Sequence, residues 1–164
     1  MSKTILFIFL SVVLFSCKRD KVAYMDLKVV FNEFKYKQEL EKELTGIKNK
    51  RKFIIDSLEA NLKLLSNRIK IDLKNKDLIA QFTTEKEEYL KRKYMFEDDE
   101  EHMVKTYDTK IISQLNSYVK QYGKENNYSI IFGATSDGNI MYSDSTLNIS
   151  KEIIKYINSK YSGN

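Results

Sequence analysis

Residues 21–27, KVAYMDL, and residues 128–144, YSIIFGATSDGNIMYSD, bracket a hundred residues, 28–127, that contain no proline. Both brackets read as strand. They are short and favour Val, Ile, Tyr and Phe, and the second holds Asp137-Gly138, a dipeptide suited to a tight hairpin turn. Between them the pattern is that of two long charged helices folded back on each other. The chain is therefore predicted to be an α+β protein in which a long antiparallel helical hairpin projects from a small β body built from the N- and C-terminal strands. The expected elements are a strand at 22–27, a helical arm at 28–126, a hairpin at 128–144 and a C-terminal helix at 150–160.

Working outward into the arm, the first helix is expected to start at Lys28 or Val29. Its apolar stripe runs through Leu40, Leu44, Ile47, Ile54, Leu58, Leu62, Leu65, Ile69 and Leu73. Early steps of four and three fit heptads, whereas Ile54/Leu65, Leu58/Ile69 and Leu62/Leu73 are eleven apart, a spacing that straightens a helix pair. Gly46 is a candidate bend. Asn75, Lys76 and Asp77 interrupt the pattern and mark the tip, with Asp77 placed to cap the second helix. At 1.5 Å per residue, forty-odd residues give an arm on the order of 60 Å long.

The second helix carries Phe82, Tyr89, Phe96 and Met103 at steps of seven, but Lys86, Lys93 and Glu100 stand where alternate core residues belong. Its seam is half built. One consequence is plain packing, with these side chains closing the hairpin on the Leu/Ile stripe of the first helix. The other is a partly open aromatic and Met surface able to make adaptable contacts with an unfolded chain. Phe82, Tyr89, Phe96 and Met103 are thus the candidate client-binding residues. Gly123 is expected to end the helix, and Ser150 to cap a last helix whose Ile153, Ile154 and Ile157 face the sheet, with Glu152 near its positive end.

At the N-terminus, Lys3 precedes an apolar run from Ile5 to Phe15 that is short for a bilayer span and ends in Leu14-Phe15-Ser16-Cys17. Residues 1–16 resemble a bacterial lipoprotein signal peptide, which implies lipidation at Cys17 after cleavage. The chain's single cysteine falls where that motif requires it. An ordinary secretory signal with a chance cysteine, or an uncleaved anchor, is the alternative, and each places the chain in the cell envelope. Residues 17–21 would form a short tether, and Lys18 after the cysteine resembles signals that favour the outer membrane.

Charged residues make up 31% of the chain and the net charge is +5, or about +4 once residues 1–16 and their single lysine are removed. So charged a chain cannot bury two long helices alone, and self-association is expected. Nucleic acid is disfavoured by export and by the lack of a dense basic patch. An enzyme is not expected. The one histidine, His102, meets only Asp98 at helical spacing within a run of exposed acids, which is a poor metal site. Five scattered glycines cannot build a phosphate loop, and no cofactor is implied.

The order of these parts resembles the OmpH-like (Skp) periplasmic chaperone family: a signal, the Lys21–Leu27 strand, the VVFNEF helix start at residues 29–34, a long helical hairpin, the YSIIF segment and a terminal amphipathic helix. The resemblance implies a homotrimer in which three sets of strands form a central body and three arms enclose a cavity. It implies an ATP-independent holdase for unfolded outer-membrane proteins in the periplasm. The lipobox departs from the typical soluble member and implies a lipid-anchored form. A structural or adaptor coiled-coil lipoprotein is the competing function.

Overall fold

The computed structural model describes residues 20–135 and 137–163; the signal segment, Cys17 and the start of the tether lie outside them. Strand β1 (Val22–Asp26) leads directly into a short helix α1 (Leu27–Asn32), followed by the two arm helices, α2 (Lys35–Ile71) and α3 (Lys76–Glu125). Strand β2 (Ile130–Ala134), a turn of 3₁₀ helix (Ser145–Leu147) and helix α4 (Ser150–Lys160) complete the order. The fold is α+β, mostly helical, with a small sheet at the root of a long hairpin.

Among the described residues the sheet has two strands, and they are parallel, with Val22 opposite Ile130 and Asp26 opposite Ala134. Parallel neighbours cannot be joined by a tight turn and need a crossover. Here the crossover is the arm itself. Alternation along β1 buries Ala23 and Met25 against the helices and leaves Val22 and Tyr24 on the outer face. The other edge of β1 is covered by the C-terminal segment: Ile149 N donates to Tyr24 O at 2.9 Å, and Asp26 N donates to Ser150 Oγ at 2.8 Å.

The expected hairpin over 128–144 does not form, because residues 140–142 make no strand. Beyond Ala134 the chain turns at Gly138, whose φ is 83°. Asn139 then folds back, accepting from Thr135 N at 2.8 Å and donating to Gly133 O at 2.6 Å. Its side-chain amide takes up backbone groups that a returning strand would use. Met141 and Tyr142 are left 90% and 87% exposed.

The first long helix is broken where the sequence predicts continuity. Asp26 caps α1 by accepting from Val29 N at 2.9 Å, and the chain leaves helical geometry at Glu33 and Phe34. Burial explains the break. Phe34 is fully buried and packs edge-on against Tyr36, Tyr118 and Tyr161, a placement that a continuous helix would not have to supply. The backbone groups freed by the break are satisfied from far along the chain. Asn158 on α4 donates to Glu33 O at 2.8 Å and accepts from Lys35 N at 2.9 Å. One side chain therefore caps two helix ends.

Four smaller expectations are revised by local chemistry. Helix α2 runs through Gly46 without interruption. At the tip it is Asn75 that caps α3, accepting from Leu78 N at 3.1 Å, while Asp77 sits in the first turn where the helix dipole favours its charge. Gly123 lies inside α3, where an added Cβ would stand 3.4 Å from Ile131 Cδ1. The helix ends instead at Glu125, and beyond its cap Asn127 turns left-handed (φ 58°) with Tyr128 N bonding back to Gly123 O at 2.9 Å, a Schellman-type stop in which Asn replaces the usual glycine. Ser150 is the first residue of α4, and Asn148 accepts from both its backbone N and its hydroxyl at 2.9 and 2.6 Å.

Ile149, just ahead of α4, and Ile153 and Ile157 on it meet Val30, Phe34, Ile111 and Leu115 in one core that also takes in β1. Both chain ends and both arm roots thus share a single apolar cluster. At its margin the Tyr156 hydroxyl donates to Glu125 Oε2 at 2.8 Å. Partial burial, and then that bond, push the Tyr156 hydroxyl up to about 12, while hydrogen bonds from Tyr156 and Gln121 hold Glu125 low.

Asn158→Ala should destabilise the protein by about 1–2 kcal/mol in urea unfolding, since it strips a carbonyl and an N–H at the helix break of their partner. Tyrosine keeps its proton to higher pH in the fold than its ordinary 10, so the Tyr156 contact contributes fully below that value and is lost as pH rises through about 12. Tyr156→Phe should flatten the alkaline loss of stability in the same unfolding assay run across pH.

Candidate surface for apolar segments on the arm

The arm is held shut by few buried side chains. Leu40 and Leu65 of α2 and Ile111 and Leu115 of α3 are buried, and of these Leu40, Ile111 and Leu115 belong to the body core, which leaves Leu65 alone on the shaft. Register along the shaft comes from polar contacts. Arg51 lies 4.9 Å from the centre of the Phe96 ring, donates to Phe96 O at 3.2 Å and pairs with Asp99 at 3.1 Å, and Lys48 pairs with Glu100 at 2.7 Å. These contacts place residue 51 level with 96–99, and residue 48 level with 100. Lys52 instead pairs along its own helix with Asp56 at 2.9 Å, and that hydrogen bond holds its ammonium above the ordinary range.

Phe82, Tyr89, Phe96 and Met103 all lie half-buried along α3. Phe96, clamped by Arg51, helps to close the hairpin. More apolar surface is open elsewhere on the arm. Phe53 is 75% exposed and Tyr94 64%, with Leu64, Met95 and, at the tip, Ile71 and Leu73 also open. Sequence reading placed Leu73 on the inner stripe, but it lies exposed past the end of α2; the others it passed over, although a signal was present: Phe53, Leu64 and Ile71 fall off the Leu/Ile spacing that marks the inner stripe of α2. Phe53 and Leu64 stand apart, beside Lys52 and Lys63, and the adjacent Tyr94 and Met95 follow Lys91, Arg92 and Lys93. That arrangement keeps the arm soluble while offering spaced apolar contacts to an extended chain.

A second apolar surface lies on the body. Val22, Tyr24 and Phe132 on the outer face of the sheet, with Ile140, Met141, Tyr142 and Leu147, line a groove of about 760 Å³. Uncovered sheet faces of this kind mark interaction surfaces. His102 and Asp98 lie 3.8 Å apart, each 76% exposed, and among the described residues no three His, Cys, Asp or Glu side chains cluster as metal ligands. No described helix is long and apolar enough to cross a membrane.

The family model for outer membrane protein (OmpH-like) matches residues 21–157, spanning both strands and the whole arm. The chain belongs to the OmpH-like family. A crystal structure from Caulobacter crescentus CB15, assigned as an outer membrane chaperone (OmpH-like), superposes with a TM-score of 0.73 at 8% identity, covering 87% of this chain and 86% of that one. At that identity the likeness speaks for the fold alone. No curated protein matches the chain. The resemblance carried by the order of strand, arm and terminal helix is thereby borne out, and the OmpH-like fold explains why the two ends of the sequence, rather than its helices, were diagnostic.

Removing the Arg51 clamp should loosen the shaft without disturbing the body. Arg51→Ala is expected to cost on the order of 1 kcal/mol and to speed amide exchange in residues 76–100 while leaving residues 150–160 protected. Phe53→Ala, which uncovers no core, should leave stability within about 0.5 kcal/mol of the parent.

Proposed function

We propose that this OmpH-like protein is an ATP-independent holdase chaperone of the cell envelope. In this reading it binds unfolded outer-membrane proteins in the periplasm, in a cavity enclosed by the arms of a homotrimer. The observation that carries it is the arm: a long shaft whose apolar side chains stand apart from one another among charges. Contacts of that sort are individually weak, and many of them acting together hold a client that any one could release. Phe53, Leu64 and Tyr94 are the main contacts, and Phe82, Tyr89, Phe96 and Met103 contribute through their open edges. Family membership and the assignment of the Caulobacter relative as a chaperone support the same reading.

The trimer is supported by the outer face of the sheet. Two strands with an apolar face cannot be covered by one chain, and pooling the faces of three would bury Phe132, Tyr142 and Met141 together. The 140–142 segment, unpaired in the single chain, would then have neighbours to pair with. The anchor is supported by geometry at the root. Lys21 donates to Asn126 O at 3.2 Å and stacks 3.9 Å from the Tyr128 ring centre, so the chain enters at the end of α3 opposite the tip. A lipid on Cys17 would hold the body against the outer membrane, with the arms directed away from it.

Residues 18–164 diluted together with a urea-unfolded barrel protein should suppress light scattering at a few-fold excess of trimer, and Phe53→Ser combined with Tyr94→Ser should weaken that suppression. No suppression at all would favour a coiled-coil spacer instead. Sedimentation should give a trimer that Phe132→Asp dissociates. In cells, Cys17→Ser should move the protein from the membrane to the soluble fraction; retention in the membrane would sink the anchor.

A further inference from the structure

The root half of the arm is electrically two-sided. On α2, residues 42–53 hold five cations, Lys42, Lys48, Lys50, Arg51 and Lys52, against Glu43 alone. On α3, residues 97–108 hold six acids, Glu97, Asp98, Asp99, Glu100, Glu101 and Asp108, against Lys105. The contacts at Lys48–Glu100 and Arg51–Asp99 place these two stretches at the same height along the shaft. Those two pairs engage two charges of each set. Lys42 and Lys50 on one side and Glu97, Glu101 and Asp108 on the other are exposed and form no salt bridge among the described residues.

Each edge also has a shape suited to contact. Gly46, Asn49, Phe53, Ser57 and Ala60 recur on α2 at steps of three and four, uncharged and exposed, so a strip free of charge runs between the lysines. On α3, Glu97, Glu101 and Asp108, with Lys105 as the one cation among them, rim a shallow groove of about 560 Å³ that includes Val104. A basic-flanked strip with a protruding Phe faces one way, and an acid-rimmed groove with an apolar floor lies level with it.

We propose that neighbouring arms of the assembly dock side by side, the α2 edge of one copy against the α3 edge of the next. The inference rests on the trimer of the preceding section. Equal heights matter here. Rotation about an axis along the arms carries each basic strip to the level of the next copy's acidic groove, a head-to-tail contact that closes into a ring after three steps. Lys42 and Lys50 then meet Glu97, Glu101 and Asp108, while Phe53 covers uncharged surface. Because the pairs are exposed and screened by salt, the contact is weak and reversible. It would draw the empty arms together at their roots and yield when a bulky client fills the space between them.

Two single-cysteine variants, Asn49→Cys and His102→Cys, both in a Cys17→Ser background, alter no formal charge and can be refolded together. A disulfide joining the two different variants can form only between chains. We expect that product under mild oxidation, lost several-fold at about 1 M salt, where the screening length is about 3 Å. It should also be lost on adding Lys42→Glu and Lys50→Glu to the Asn49→Cys chain. Adding Glu97→Lys and Glu101→Lys to the His102→Cys chain should then restore it. A trimer by sedimentation with no mixed disulfide, or a disulfide indifferent to charge reversal, overturns the docking and leaves the trimer standing. A monomer overturns both.

Discussion

Everything in this molecule follows from the parallel pairing of Val22–Asp26 with Ile130–Ala134. Parallel strands cannot be connected locally, so whatever lies between them must leave the sheet and come back. Here that excursion has been lengthened into a helical limb. The body is correspondingly economical: two strands, one C-terminal helix and the two ends of the arm share a core around Phe34, Leu115, Ile153 and Ile157. A break at Glu33–Phe34 turns the chain from body into limb, and Asn158 holds that corner from the opposite end of the sequence.

Stability is distributed unevenly as a result. Root residues such as Phe34 and Leu115 are fully buried, whereas the shaft buries little beyond Leu65 and relies on Arg51, Lys48 and short helix-internal ion pairs. Exposed pairs of this kind contribute little each. The limb therefore belongs to the low-stability end of the structure, where local opening is easiest.

Much of the architecture was legible in the sequence because it depends on period and punctuation. The Leu/Ile stripe of α2 as far as Ile69, the tip at Asn75–Asp77 and the strand segments at 22–26 and 130–134 are local signals and fell where expected, whereas Leu73 lies exposed beyond the end of α2. What escaped depends on partners distant in sequence. Nothing near Phe34 announces that it will be buried by Tyr118 and Tyr161, nor that Asn158 will cap the resulting break. Asp137-Gly138 is a sound hairpin signal that lost to the Asn139 side chain and to β1, which pairs with β2 across the whole arm. The apolar surface of the shaft was half legible: sevens led to Phe82, Tyr89, Phe96 and Met103, but open side chains such as Phe53 and Tyr94 lie off every inward period and look like noise until burial is known.

The parallel ladder also dictates an order of events. Its two strands are separated by about a hundred residues, so closing the sheet directly from an open chain would carry a large loop entropy and a high contact order. Helices α2 and α3, whose contacts are local or meet through the short turn at Asn75, can form first. Once zipped, they shorten the effective loop and deliver Ile130 to the vicinity of Val22. The limb is then its own scaffold during assembly, and the body is the last part to close. During synthesis, the N-terminal strand must wait unpaired until the far end of the chain has emerged.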